Sequence, residues 1–119
     1  MDPTFLSATQ LADLVRNRKI GALELLDHYI ARVERLDPRI NAVVVRDFER
    51  ARTQARALDD RADKSAPLFG VPMTTKESFD IAGLPTTRGH AAPKDNPVRV
   101  STIAVRRLEA AGAVVFGKT

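Results

Sequence analysis

The hydrophobic positions near the N-terminus repeat with the spacing of two amphipathic helices. The apolar positions are Leu11, Leu14 and Val15 in the first helix and Ala22, Leu25, Leu26, Tyr29, Ile30, Val33 and Leu36 in the second. Ser7 and Gln10 have the spacing of a capping box, which places the start of the first helix after Ser7. Asp37 and Pro38 end the second pattern, because proline cannot continue a helix.

A short β-branched run and a third helical pattern follow. Residues 41–45, Asn-Ala-Val-Val-Val, are too few for a helix and predict a strand. The third apolar stripe consists of Phe48, Ala51, Ala55 and Leu58. The polar stretch 59–66 after it predicts a loop.

The second half of the chain has the pattern of a strand, an irregular segment, a helix and a strand. Residues 68–76 predict a strand, in which Pro72 favours an edge or entry position because it lacks an N–H. Residues 77–100 hold most of the glycines and prolines that follow residue 76 and predict irregular structure, which at that length is typical of a functional or partner-bound segment. Ser101 is the predicted cap of a helix carrying Ile103, Ala104, Leu108 and Ala111, with Gly112 after its end. Residues 113–116 predict a buried strand.

This order of elements predicts an α/β fold, with N-terminal helices packed on the beginning of a mixed, largely parallel sheet. A strand, a helix and a second strand in succession favour a parallel pair joined by a right-handed crossover. The 119 residues are enough for one domain. Because a strand buried in a parallel sheet needs neighbours, we expect that more chain follows these residues and that the sheet is incomplete.

Composition and charge narrow the functional classes. Hydrophobic residues make up 44% and charged residues 29%, which is typical of a folded globular domain. Cysteine is absent, which excludes a disulfide framework and a cysteine nucleophile, and no metal-ligand spacing is present. The net charge is +4, but the arginines of residues 49–63 alternate with acidic residues, which is typical of a solvated helix face rather than a nucleic-acid surface. Without a signal peptide or an apolar membrane span in the sequence, we expect a cytoplasmic protein that contacts neither membranes nor nucleic acid directly.

The last eight residues, Gly112 to Thr119, match the phosphate-binding pattern G-x-x-x-x-G-K-[ST]. Their context argues against nucleotide binding. In a phosphate-binding loop the first glycine follows a strand and a helix begins at the lysine, whereas here Gly112 follows a predicted helix and the middle residues are β-branched and apolar. A buried strand followed by a turn is the favoured interpretation.

Residues 70–87, Gly-Val-Pro-Met-Thr-Thr-Lys-Glu-Ser-Phe-Asp-Ile-Ala-Gly-Leu-Pro-Thr-Thr, carry a more specific signal. They resemble the opening block of the amidase-signature family, in which a Gly-Val-Pro strand leads to a catalytic lysine followed by an acidic residue. The resemblance extends back through Glu24-Leu25 and residues 38–42, and forward to residues 111–113 and 117–119.

The resemblance implies that Lys76 is the general base of a Ser-cisSer-Lys triad that hydrolyses a carboxamide. In that family a neutral lysine amine acts through a bridging serine, held in a cis peptide, to activate a second serine that forms an acyl-enzyme. An exposed lysine is protonated and unusable as a base, so this chemistry needs a buried lysine, and the end of a buried strand suits it. The chemistry requires no cofactor, and the substrate of the full-length form would be a small-molecule amide.

The family's serine block is missing from these residues, so we expect the chain to be inactive alone. The serines present are Ser7, Ser65, Ser78 and Ser101. Ser7 and Ser101 suit helix caps and Ser65 lies in the predicted loop, while Ser78 would share a strand face with Lys76 but lacks oxyanion-hole glycines. His90 stands where relatives often carry a small residue, and both His28 and His90 are expected to lie outside the chemistry.

Three other interpretations stay open. Lys76 could be a surface lysine paired with Glu77. The chain could be a non-catalytic module completed by another polypeptide or by a second copy of itself. It could also belong to the amidotransferase component that amidates misacylated tRNA, which uses the same triad and needs partner subunits.

Overall fold

The computed structural model describes residues 2–91 and 95–119 as four α-helices and a three-stranded sheet. The α-helices are α1 (Ala8–Arg16), α2 (Ala22–Leu36), α3 (Phe48–Asp59) and α4 (Ile103–Ala110), and the strands are β1 (Val45–Arg46), β2 (Pro72–Thr75) and β3 (Val114–Lys118). Short 3₁₀ turns, Pro3–Phe5 and Asp37–Arg39, precede α1 and follow α2. No helix among the described residues is both long and apolar enough to cross a membrane.

The predicted N-terminal helices are confirmed, together with the cap of the first. The Gln10 N–H donates to Ser7 Oγ over 3.2 Å, and the Ser7 N–H donates to Gln10 Oε1 over 2.9 Å. The start of α2 is held differently, because the carboxylate of Asp59 accepts from the N–H groups of Ala22 (2.6 Å) and Leu23 (3.0 Å). The C-terminal end of α3 thereby caps the N-terminus of α2 and fixes the angle between the two helices.

The sheet is mixed, as the sequence predicts. β3 lies in the centre, antiparallel to β1 and parallel to β2. β2 is an edge strand among the described residues, which places Pro72 where its missing N–H removes no ladder bond from a central strand.

Helices cover both faces of this sheet. On one face, α1, α2 and α3 bury their apolar stripes with Phe69, Val71, Val114 and Phe116. On the other face, Val115 packs with Val105 of α4 and with Ile81. The arrangement confirms the α/β prediction, and its two apolar clusters enclose β3 from both faces.

The predicted strand over residues 41–45 is mostly wrong, since only Val45 belongs to β1. The reason is the buried carboxylate of Asp37, which accepts from the N–H groups of Ala42 (2.6 Å) and Val43 (3.1 Å). These hydrogen bonds, opposed by burial of the carboxyl and aided by Arg46, lower the pKa of Asp37. The Asp37 side chain therefore accepts hydrogen bonds from N–H groups that a longer β1 would have used to pair with a neighbouring strand.

Three further boundaries differ from the prediction. β2 begins at Pro72 rather than residue 68, because Leu68 and Gly70 donate to the carbonyls of residues 111 and 112 in a turn. Thr102, not Ser101, caps α4 by accepting from the Val105 N–H over 3.3 Å. Ser101 Oγ instead accepts from the Ala82 N–H over 2.9 Å.

The last strand is longer than predicted, since β3 continues through Gly117 and Lys118 where a turn was expected. In the segment before α4, residues 77–91 and 95–100 contain turns and bends with one isolated bridge, between Pro85 and Pro97, as the irregular pattern predicts. Residues 92–94 of that stretch lie outside the described residues.

Gly112 ends α4 in the predicted left-handed conformation, with φ of +97°, and lies against the backbone of Phe69. A Cβ at Gly112 would stand 2.7 Å from Phe69 Cα, whereas a Cβ at Gly83, whose φ is +87°, would meet nothing within 4 Å.

We expect Gly83→Ala to cost about 1 kcal/mol of unfolding free energy, from backbone strain alone. Gly112→Ala should cost about 1–2 kcal/mol more in urea unfolding, because of overpacking. Equal losses of unfolding free energy in the two variants would contradict the close contact between Gly112 and the Phe69 backbone.

Candidate functional site

A cavity of about 870 Å³ opens at the carboxyl ends of β2 and β3. Because these strands are parallel, both ends meet at the same edge of the sheet, where α/β folds commonly bind ligands. Its lining residues are Val44, Val45, Lys76, Glu77, Ser78, Pro85, Thr87, Arg88, Gly89, His90 and Thr119. The cavity is thus bordered by the start of β1, by the carboxyl ends of β2 and β3, and by the loop of residues 85–90.

Lys76 follows the last residue of β2 directly and lines the cavity. Its backbone is fixed on both sides, since the Glu77 N–H donates to the Thr119 carbonyl over 2.6 Å and the Thr119 N–H donates to the Thr75 carbonyl over 2.8 Å. The expected burial is wrong for this structure, because the Lys76 side chain is exposed.

Lys76 lies at the surface, as the alternative interpretation expects, but the ion pair with Glu77 is wrong, because Glu77 faces Lys118 instead. The Glu77 carboxylate is buried, at 6% exposure, and is turned toward the loop. It accepts from the Thr87 N–H and hydroxyl, both at 2.8 Å, and from the Arg88 N–H at 2.9 Å. Lys118 Nζ stands 3.6 Å from the same carboxylate.

These contacts decide the ionisation of Glu77. Burial of the carboxyl opposes the charged form, but the hydrogen bonds from Thr87, the charge of Lys118 and the Arg88 N–H outweigh it. Together they lower the pKa of Glu77 to about 2. Glu77 is therefore an ionised structural group at neutral pH, and a pKa of about 2 makes its carboxylate too weak a base to take a proton from a serine hydroxyl.

Lys118 is fully buried, which sequence reasoning missed. Its ammonium donates to the Pro85 carbonyl over 2.9 Å and to Thr86 Oγ1 over 3.2 Å, besides facing Glu77. As a residue inside a strand and bound to protein groups, it cannot serve as the lysine of a phosphate-binding loop.

An irregularity in the sheet explains where the Lys118 side chain points. The register between β2 and β3 shifts by one residue, from Met73 opposite Val115 to Thr74 opposite Gly117. Strict alternation would place Lys118 with Val114 and Phe116 on the face covered by α1, α2 and α3, but the extra residue in β3 turns it toward the loop. No local sequence signal predicts this shift.

Of the four serines, only Ser78 lines the cavity. It lies in a turn, not on a strand, because the Phe79 N–H donates to the Lys76 carbonyl over 3.0 Å. Ser78 and Lys76 therefore do not share a strand face, and that prediction is wrong.

The two histidines have separate environments. His28 Nε2 lies 3.0 Å from Thr4 Oγ1 and 3.5 Å from Asp2, outside the cavity lining. His90 belongs to the cavity wall, next to a loop whose conformation is set by Glu77. Within residues 2–91 and 95–119, no three acidic or histidine side chains come together as metal ligands.

The chain is similar to amidases over its whole length. The profile of the Amidase family matches residues 24–119. The putative amidase AmiB2 of Mycobacterium tuberculosis (strain ATCC 25618 / H37Rv) is 45% identical over 125 residues, which cover 100% of this chain and 27% of that protein. One component of the glutamyl-tRNA(Gln) amidotransferase of Nitratidesulfovibrio vulgaris (strain DP4) is 39% identical, covering 95% of this chain and 23% of that protein.

The structural comparison agrees. The crystal structure of a bacterial aryl acylamidase of the amidase-signature enzymes superposes with a TM-score of 0.91 at 29% identity, over 97% of this chain and 25% of that one. The chain thus spans about a quarter of the length of these relatives. Sequence profile, relatives and fold agree, and the chain belongs to the Amidase family of amidase-signature proteins.

Proposed function

We propose that this chain is the lysine-bearing N-terminal segment of an amidase that hydrolyses a small carboxamide through a Ser-cisSer-Lys triad. The observation that carries the proposal is the position of Lys76, directly after β2 and at the wall of the cavity. The Gly-Val-Pro segment before it and the acidic residue after it match the block that holds the catalytic lysine in the family.

The proposed reaction uses Lys76 as a base. Its neutral amine takes the proton of a bridging serine, which takes that of a second serine as the latter attacks the amide carbonyl. The proton then returns to the leaving nitrogen, the C–N bond breaks, and water releases the acyl group from the serine.

Neither serine is available at the described cavity in a suitable arrangement. Ser7 caps α1, Ser101 binds the Ala82 N–H and Ser65 lies outside the cavity lining, which leaves Ser78 alone beside Lys76. We therefore propose that polypeptide outside these 119 residues supplies both serines. The same polypeptide would cover Lys76, and burial favours the neutral amine that the mechanism needs.

A second candidate is supported by the 39% identity to the amidotransferase component. In that case the same lysine would release ammonia from an amide for transfer, and partner subunits would be required. Both functions use Lys76 to cleave an amide C–N bond, and they differ in whether the nitrogen is released or transferred to an acceptor. A test of amide cleavage that depends on Lys76 therefore examines the step that they share.

The test is a chimera in which residues 1–119 replace the matching quarter of the bacterial aryl acylamidase, whose fold they share. We expect the chimera to release 4-nitroaniline from 4-nitroacetanilide. The isolated chain, shown to be folded by circular dichroism, should hydrolyse neither this anilide nor a long aliphatic amide. Parent acylamidase serves as the positive control.

Two results would count against the proposal. A folded chimera without turnover, beside an active parent, would mean that this segment cannot provide the lysine. Turnover by the isolated chain that is lost in a Lys76 variant would make Ser78 the nucleophile instead.

A further inference from the structure

The loop of residues 85–89 forms one wall of the cavity and is hydrogen-bonded to two buried charged side chains, Lys118 and Glu77. Lys118 binds its first part, through the Pro85 carbonyl and the Thr86 hydroxyl. Glu77 binds its second part, through Thr87 and the Arg88 N–H. The two side chains are 3.6 Å apart, so a single ion pair contacts four successive loop residues.

The loop needs such support at Arg88, whose backbone is in a conformation that residues other than glycine do not favour. Arg88 has φ of +51° and Gly89 has φ of +82°. A left-handed conformation is uncommon for arginine and persists where surrounding contacts impose it. The hydrogen bond from the Arg88 N–H to Glu77, at 2.9 Å, is such a contact.

The same pair is tied to the backbone of Lys76. Glu77 follows Lys76 in the chain and donates its N–H to the Thr119 carbonyl. Lys118 precedes Thr119, and the Cα of Lys118 pairs with that of Thr75, the residue before Lys76. The two charges therefore connect the loop wall to the peptide units on either side of Lys76.

We propose that Glu77 and Lys118 are positioning residues, which set the distance between the cavity wall at residues 85–89 and the amine of Lys76. The inference rests on the proposed function, because only an active Lys76 gives that distance a catalytic meaning. A buried ion pair is a weak source of net stability, since desolvation offsets much of its attraction, so a positioning task accounts better for its place beside the cavity.

The experiment compares variants of the chimera that differ in charge and little in volume. Glu77→Gln and Lys118→Met each remove one charge, and the double variant removes both. Asp59→Asn is the matched control, because Asp59 also accepts from two backbone N–H groups but caps α2 and is absent from the cavity lining.

We expect each single variant to lower kcat by about 10- to 100-fold with KM changed by less than about 5-fold, since small displacements at a reacting centre are costly. In the double variant the thermal midpoint should recover while kcat stays low, because no buried charge is unpaired but the loop is still released. Hydrogen exchange of the Thr87 and Arg88 amides should accelerate in the double variant as well. Asp59→Asn should leave kcat unchanged.

If kcat recovers together with the thermal midpoint in the double variant, the pair is only structural and the inference is wrong. Unchanged kcat in the single variants, beside a large loss in a Lys76 variant, would also overturn it. A Lys76 variant that retains full activity would instead refute the proposed function, while amide exchange at Thr87 and Arg88 would still report on the loop.

Discussion

Replacing Lys76 with alanine is expected to lower kcat of the chimera by at least about 10³-fold, because removal of a catalytic base disables the serines that act with it. The side chain is exposed in this segment and lies outside the two apolar core clusters. The loss should therefore appear in turnover, with the thermal midpoint unchanged.

Lys19→Met provides the control for removing a positive charge, because Lys19 is also exposed and lies outside the cavity lining. It should retain full activity. The Lys76→Ala chimera should also regain part of its turnover when ethylamine is added, and more of it as pH rises and free amine accumulates. A Lys76→Ala chimera with kcat within about tenfold of the parent chimera would rule out a base at this position.

Much of the fold follows from local pattern. The stripes of α1 and α2 and the Ser7 capping box depend on residues three or four apart, so the sequence itself contains the interacting partners. The left-handed Gly112 is predictable for the same reason, since glycine after a helical stripe is the usual helix end.

Periodicity fails to predict contacts in which a side chain acts over a longer distance in sequence or competes with the backbone. Asp37 binds the amides of Ala42 and Val43 and shortens β1, although the valines of that run have strong strand propensity. Asp59 caps α2 from 37 residues away. Periodicity has no information about either contact, because an aspartate in a polar stretch looks the same whether it is solvated or capping a helix.

The position of Lys76 could be predicted, but the arrangement around it could not. Its place at the end of β2 follows from the Gly-Val-Pro segment. The ion pair below the cavity depends on the register shift after Met73, which turns Lys118 toward the loop. The Gly-Lys-Thr sequence at the end of an apolar run matches a phosphate-binding pattern. Nothing in the neighbouring residues indicates that its lysine is buried instead.

Removing Lys118 tests the energetics of that pair. Lys118→Met is expected to lower the unfolding free energy of the 119-residue chain by about 3–5 kcal/mol at pH 7, because it leaves the buried Glu77 carboxylate without its counter-charge. The Glu77→Gln/Lys118→Met variant, with no buried charge, should lose less than Lys118→Met. Urea unfolding of the two variants gives the comparison.

The pH dependence of the unfolding free energy gives an independent test of the Glu77–Lys118 pair. The pKa of Glu77 is lowered from 4.5 to about 2 by folding, so its stabilising contribution is complete above pH 4.5 and is lost as pH falls toward 2. At about 1.4 kcal/mol per pKa unit, the contribution is at most about 3.5 kcal/mol, and Glu77→Gln should remove this part of the acid sensitivity. In Lys118→Met the carboxylate should protonate at higher pH, so the cost of that substitution should shrink on acidification. A cost that is constant from pH 7 to pH 3 would show that Glu77 does not depend on the Lys118 charge.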